Sequence, residues 1–194
     1  KKNDGNKFVK QSFKRKASLA VINRLQNGLD IKRQIKVKNT LKFLTEVSKI
    51  LRINLNTKII AITGSCGKTT LKELLGNSLK KIDKTSISPK SYNNKYGVPL
   101  SLFNLNYKDI YGVLEVGMDK KGEIDYLSKI LQPDISVITN VSYAHAKNFK
   151  SIRQIALAKS EIINNTKINL HAVLNADDTF FKLHKKLALK KNLK

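Results

Sequence analysis

Residues 58–70 read KIIAITGSCGKTT, an apolar, β-branched run that breaks into a glycine-rich turn and opens onto a helical pattern. Gly64 and Gly67 allow a tight turn whose backbone N–H groups face inward, where the N-terminus of the following helix favours an anion. In such a turn Lys68 reaches the β and γ phosphates of a nucleotide and the Thr69 hydroxyl can ligate Mg²⁺. The general phosphate-loop pattern places a glycine five positions before Gly67, where this chain has Ile62. The motif is therefore the shorter TGxxGKTT form, and the chain reads as a nucleotide binder. Cys66 lies inside the loop, but this chemistry works through backbone N–H groups and no His/Asp partner is close in sequence, so it is not read as a nucleophile.

Further polar groups fall just after apolar runs. YGVLEVGMDKKGEI ends its run in Glu115, and a hard cation such as Mg²⁺ takes oxygen ligands, so Thr69 and Glu115 together make a plausible site. ISVITNVSYAHAKNF places Asn140 and His145 after the next run. In SIRQIALAKSEII, Ile152, Ile155, Lys159 and Ile162 share one helical face, which turns Lys159 inward. A buried ammonium needs a carboxylate, a phosphate or a chemical modification; a snorkelling surface lysine is the other reading. Asn93 and Asn94, before Gly97-Val98-Pro99, could hold a substrate or a phosphate, or simply form a turn, and Asn175 in LNADD is equally open.

Strand-like and helical patterns alternate after residue 57 and must position these groups. Strands are expected near Lys58–Ile62, Thr85–Ile87, Tyr111–Glu115, Ile135–Thr139 and His171–Leu174, with helices near Lys68–Lys80, Ile124–Leu131, Ser151–Asn164 and Asp177–Leu189. Such alternation implies βα crossovers and an α/β fold with a mostly parallel sheet, whose strand carboxyl ends are where ligands bind. Earlier, Ser18–Ile22 and Gln34–Val37 read as short strands, and Thr40–Arg52 as a helix burying Leu41, Leu44, Val47 and Leu51. Ile53–Thr57 is the expected linker, dividing the chain into 1–57 and 58–194.

At 194 residues and 41% hydrophobic the chain can bury one sizeable core. No apolar run approaches a membrane span, and the start KKNDGNKF is no signal peptide. A single cysteine excludes an internal disulfide framework and any multi-cysteine metal site, and fits a reducing cytoplasm. The net charge of +24 would ordinarily suggest nucleic acid, yet the lysines spread along the whole chain and no motif with interleaved aromatics accompanies them. No nucleic-acid partner is expected. The densest cluster, Lys182–Lys194, reads as a helix docking on the sheet with a solvated lysine face, with membrane-surface binding as the alternative.

Together TGSCGKTTLKE, SYNNKYGVPLSL, LEVGMDKKGEI, ITNVSYAHAKNFKSIRQIALAKSEI and VLNADD resemble the Mur ligase family, in order, from about residue 58 to 180. Lys72-Glu73 and the NNKYGVPLSL, VGMDKKGEI and AKSEI forms favour the type that adds D-alanyl-D-alanine to UDP-N-acetylmuramoyl-tripeptide over sibling ligases and folylpolyglutamate synthetase. The resemblance implies ATP-dependent amide ligation through an acyl phosphate, in a cytoplasmic monomer. Carried onto matching positions, Gly64, Ser65, Cys66, Gly67, Lys68, Thr69, Thr70 and Asn175 bind ATP. Thr69 and Glu115 hold one Mg²⁺, His145 and a carbamylated Lys159 a second, and Asn93 and Asn94 lie near phosphate or substrate. Lys68, Lys159 and His145 are the catalytic candidates. Many members have Asn where this chain has Ser91, and the family's further domains imply that this chain is a fragment, with 1–57 the C-terminal part of the N-terminal UDP-substrate-binding domain plus linker and 58–194 an incomplete central ATP-binding domain. The alternatives are a truncated nucleotide-binding module without catalysis, another Mur ligase, or a basic nucleic-acid binder with an incidental phosphate loop.

Overall fold

The computed structural model describes residues 4–143 and 148–194. They form two compact units, Lys1–Val47 and Ser48–Lys194, and the division falls inside a helix, α2 (Thr40–Ile53), not at the expected linker. In the first unit a 3₁₀ turn (Gly5–Phe8) runs into α1 (Val9–Lys14), neither of which was expected. Two short parallel strands follow, β1 (Ala20–Ile22) and β2 (Gln34–Lys36), paired with Val21 opposite Ile35. The buried Gln34 amide closes the loop between them, accepting from Gln26 N and donating to the carbonyls of Gln26, Leu29 and Asp30.

The second unit is the alternating part of the sequence. Its strands are β3 (Lys58–Thr63), β4 (Thr85–Ile87), β5 (Tyr111–Glu115), β6 (Ile135–Ile138) and β7 (His171–Leu174). They make one parallel sheet in the order β4-β5-β3-β6-β7. The central β3 is apolar on both faces because both are covered, as a parallel sheet demands. On one face Ile60, Ile62, Val113 and Val137 pack under Leu71, Leu75 and Leu79 of α3 (Lys68–Leu79). On the other, Ile59, Ala61, Leu114 and Ile138 meet α4 (Gly97–Phe103), α5 (Glu123–Leu131), α6 (Ile152–Asn164) and α7 (Phe181–Lys190) in the main core. In α7 His184 and Ala188 are buried while Lys182, Lys185, Lys186 and Lys190 are exposed, which supports the docking reading of the lysine-rich end.

A further helix was not expected, and one expectation needs correction. Gly97-Val98-Pro99 starts α4, a helix absent from the expected elements: a proline in the first turn lacks only an N–H that would be unpaired there, and Val98 and Leu102, one turn apart, are both fully buried. On α2 the expected leucine stripe is only half-buried; the buried positions are Thr45, Ser48 and Arg52.

Arg52 is the reason a charged residue can sit there. Its guanidinium donates to the carbonyls of Leu131, Leu55, Thr57 and Gln132 and to Asp134 Oδ2 at 2.8 Å. Asp134 in turn accepts from Ile59 N at 2.8 Å and from Lys167 Nζ. The pair thus ties the end of α2 to the start of β3 and the turn before β6. Asp134→Ala should leave the buried guanidinium without its countercharge and cost about 3–5 kcal/mol, read as a lower midpoint in urea unfolding.

Candidate active site

Four strands deliver polar groups to one edge of the sheet. β3 runs into residues 64–67, where Gly67 takes a left-handed conformation (φ 78°) and α3 begins at Lys68. Gly64 (φ 152°) is required twice over, because a Cβ there would lie 1.8 Å from Thr139 Oγ1 and the conformation itself disfavours side chains. Thr139 and Asn140, following β6, brace the turn from outside. Thr139 Oγ1 donates to Cys66 O, Cys66 N donates to Asn140 Oδ1, and Ser65 N donates to Asn140 O. The Ser65 hydroxyl accepts from Ser142 N and donates to Ser142 O. Lys68 lies at the first position of α3, and its ammonium donates to Gly64 O at 2.9 Å and Ser65 O at 3.4 Å, folded over the turn. Thr70 is exposed beside it.

The next strand over, β5, ends in Glu115, which is 1% exposed. Both of its carboxylate oxygens are held: Thr69 Oγ1 donates to Oε2 at 2.7 Å and Asn93 Nδ2 donates to Oε1 at 2.7 Å. Asn93 reaches it because Gly117 has no side chain; a Cβ there would approach the Asn93 amide within 2.8–3.1 Å, and Gly117 N also donates to Asn93 O. A hydroxyl, a carboxylate and an amide meeting below a glycine-rich turn form an oxygen-rich corner suited to a hard cation. Among the described residues no three His, Cys, Asp or Glu side chains cluster, so Glu115 is a lone carboxylate, as where a small cation takes its remaining ligands from a phosphate and water.

Lys159 is buried on α6 between Ile155 and Ile162, as its spacing implied. Burial drives its ammonium down to about 7 from the ordinary 10.5; the positive charge of Lys68 pushes the same way, with Cys66 opposing. Behind it His184 of α7 is buried, with Nε2 3.1 Å from the Ala156 carbonyl. Burial lowers the His184 pKa, against the pull of that carbonyl and of Asp178, so the ring is neutral at pH 7 and donates from Nε2.

The adjacent amides are divided in use. Asn93 is brought to Glu115, whereas Asn94 is exposed and its Oδ1 accepts from Tyr96 N and Gly97 N at the start of α4. Asn175 sits at the end of β7 in a local turn, its Oδ1 accepting from Asp177 N, and Asp178 carries that turn to Val141 N at 2.7 Å. His145 lies outside the described residues. Sequence reasoning gave no role to Thr139, Ser88, Asp178 or His184, and read Lys72 only as part of the family resemblance. For Lys72 there was a signal: Gly76 follows it by one helical turn, marking a face of α3 in close contact with β4, and a Cβ on Gly76 would meet Ile87 at 2.5 Å.

Residues 62–194 match the family described as the Mur ligase middle domain, and the chain belongs to that family. It is 38% identical to the UDP-N-acetylmuramoyl-tripeptide–D-alanyl-D-alanine ligase of Buchnera aphidicola, covering 96% of this chain and 40% of that protein. The crystal structure of MurF from Acinetobacter baumannii superposes with a TM-score of 0.87 at 34% identity, over 98% of this chain and 42% of the other. MurF from Thermotoga maritima, in complex with ADP, gives 0.84 at 31% identity over 98% and 44%. The chain therefore spans about two fifths of the length of these relatives. Among the described residues no helix is long and apolar enough to cross a membrane.

The depressed Lys159 pKa makes stability depend on pH in a defined direction. Between about 7 and 10.5 the unfolded chain holds a proton on this residue that the folded chain lacks, so its contribution rises with pH through that window. Below it both states are protonated and the burial penalty is full. In CO₂-free buffer, Lys159→Met should therefore be more stable than the parent by the largest margin at or below about pH 7, with the margin shrinking towards pH 10 in urea titrations.

Proposed function

We propose that this chain forms the nucleotide-binding part of an ATP-dependent amide ligase that joins D-alanyl-D-alanine to UDP-N-acetylmuramoyl-tripeptide, a step in making peptidoglycan precursors. The observation that carries the reading is the Gly64–Thr70 turn at the head of α3, lying against a buried Glu115 whose two oxygens are both presented. Helix N-terminus, backbone N–H groups and Lys68 all favour phosphate at this place.

In the reaction an oxygen of the substrate carboxylate attacks the γ-phosphorus, the bond to the bridging oxygen breaks, and ADP leaves. The amine of the dipeptide then attacks the acyl carbon, phosphate departs, and the amine gives up a proton. Two anions must meet in the first step, so positive charge is the main requirement. Lys68 leaves the carbonyls of Gly64 and Ser65 and donates to the phosphates, while Gly67, Lys68, Thr69 and Thr70 contribute backbone N–H groups. Thr69 and Glu115 would hold a Mg²⁺, and Ser65, Cys66 and Gly64 shape the loop around the phosphates. Bound there, the cation would neutralise charge as it moves towards ADP.

Lys159 has the property that carbamylation needs, a substantial neutral fraction near pH 7. Its Nζ lone pair adds to CO₂ and a proton leaves, turning a buried amine into an anionic oxygen ligand. With His145 it would serve a second Mg²⁺. Asn93 and Asn94 would lie near phosphate or substrate, and Asn175 near adenine. Residues 1–57 would belong to the substrate-binding N-terminal domain and 58–194 to the central ATPase domain, in a cytoplasmic monomer. The competing reading is a module that holds nucleotide without catalysis; product formation from ATP and both substrates separates the two.

Lys68→Ala should lower affinity for Mg-ADP or Mg-ATP by about 1.5–3 kcal/mol, roughly 10- to 100-fold, in calorimetric titration. Its melting temperature should stay close to that of the parent, since among the described residues the Lys68 ammonium bonds to the loop carbonyls of Gly64 and Ser65. Unchanged affinity would remove the phosphate assignment.

A further inference from the structure

Lys72 is fully buried, with 0% of its surface exposed, and it lies one turn after Lys68 on α3. Its ammonium donates to Ser88 O at 2.8 Å and to Lys90 O, and it stands 3.1 Å from Glu73 Oε1 as an ion pair. The two carbonyls belong to the segment that leaves the carboxyl end of β4, and Lys90 sits there in the left-handed region at φ 47°. That conformation is uncommon for a residue with a side chain and is found where surroundings over-determine it. A desolvated ammonium bridging two backbone carbonyls is such a surrounding.

The same segment serves Glu115. Ser88 Oγ accepts from Glu115 N at 3.3 Å, Asn93 Nδ2 donates to Glu115 Oε1, and Asn93 O accepts from Gly117 N. Glu115 Oε2 is held from α3 by Thr69. Three parts therefore meet in a closed triangle: α3, the 88–93 segment and the end of β5. Thr69 joins α3 to β5, Asn93 and Ser88 join the segment to β5, and Lys72 joins α3 to the segment.

We propose that Lys72 is a positioning residue for the nucleotide site: its buried ammonium clips the 88–93 segment to α3, so that Thr69 and Asn93 grip opposite oxygens of Glu115. Lys72 touches neither nucleotide nor metal. It fixes the spacing between a helix that begins at the phosphates and a loop that carries an amide, and so sets where the Glu115 oxygens stand. This rests on the reading of Glu115 and Thr69 as the Mg²⁺-holding pair. Neutralising the cation while keeping its length should loosen the segment and weaken Mg²⁺-dependent binding, leaving the metal-independent phosphate contacts in place. Outer groups that orient ligands in this way are worth about 10- to 100-fold in metal affinity.

The test uses the whole chain, with Lys72→Met, which preserves volume without donors, and Lys72→Ala. ADP affinity is measured by calorimetry in Mg²⁺ and in EDTA, and hydrogen exchange is followed at backbone amides 88–93 and at the Asn93 side-chain amide. For Lys72→Met the expectation is a loss of about tenfold or more in Mg²⁺, no change in EDTA, and faster exchange confined to 88–93. Ethylammonium should restore protection to Lys72→Ala, whereas tetramethylammonium, of equal charge but without an N–H, should not. Equal Mg²⁺ dependence with unchanged exchange, parallel loss in both buffers, rescue by both ions, or a failure of both variants to fold would each overturn the proposal. If the parent binds no nucleotide, the function reading fails, while the exchange and rescue measurements still decide the role of Lys72.

Discussion

The site depends on one buried carboxylate with both oxygens held. Glu115 is all but inaccessible, and desolvating an anion is costly unless its oxygens have hydrogen-bond partners. Here a hydroxyl from α3 and an amide from the loop after β4 supply them. Those two donors come from separate segments, α3 and the loop after β4, which Lys72 also ties together, so the carboxylate acts as a gauge. When Glu115 is in place, Thr69 is in place, and with it the start of α3 and the glycine-rich turn that precedes it.

The rest of the second unit keeps that gauge from drifting. Five parallel strands put the turn, Glu115, Ser88 and Thr139–Asn140 at one edge, and β3, buried on both faces, fixes their mutual heights. At the opposite edge Arg52 and Asp134 fasten the entrance of β3 and the turn before β6 by a hub of backbone carbonyls. Lys159 and His184 fill the space behind the sheet edge from α6 and α7. Burial keeps both short of protons, and it brings Lys159 down to about 7.

Much of this was legible in the sequence, for physical reasons. The alternation of β-branched runs with helical patterns announced a covered parallel sheet, and the strand ends told which polar residues would share its edge. Lys159 could be turned inward because helical periodicity alone fixes a face. What could not be read was anything set by loop conformation. Asn93 and Asn94 are neighbours in an irregular segment, and only the fold decides that one grips Glu115 while the other starts α4. That helix itself was hidden by Gly97 and Pro99, which act as breakers in most settings and here occupy the first turn. Lys72 was hidden by the usual expectation that a lysine on a helix faces water; the carbonyls that satisfy it lie 16 and 18 residues away.

The central claim is that the hydrogen bond between Thr69 and Glu115 marks the seat of a cation that shares a nucleotide's phosphates. The most direct measurement is a crystal structure of this chain grown with Mg-ADP. The account predicts phosphate density against the N–H groups of residues 67–70, Lys68 drawn off the Gly64 and Ser65 carbonyls, and a cation about 2.0–2.1 Å from Thr69 Oγ1 or a Glu115 oxygen, parting the two. Nucleotide bound at the turn with its cation elsewhere, and with Thr69 still 2.7 Å from Glu115, would contradict it.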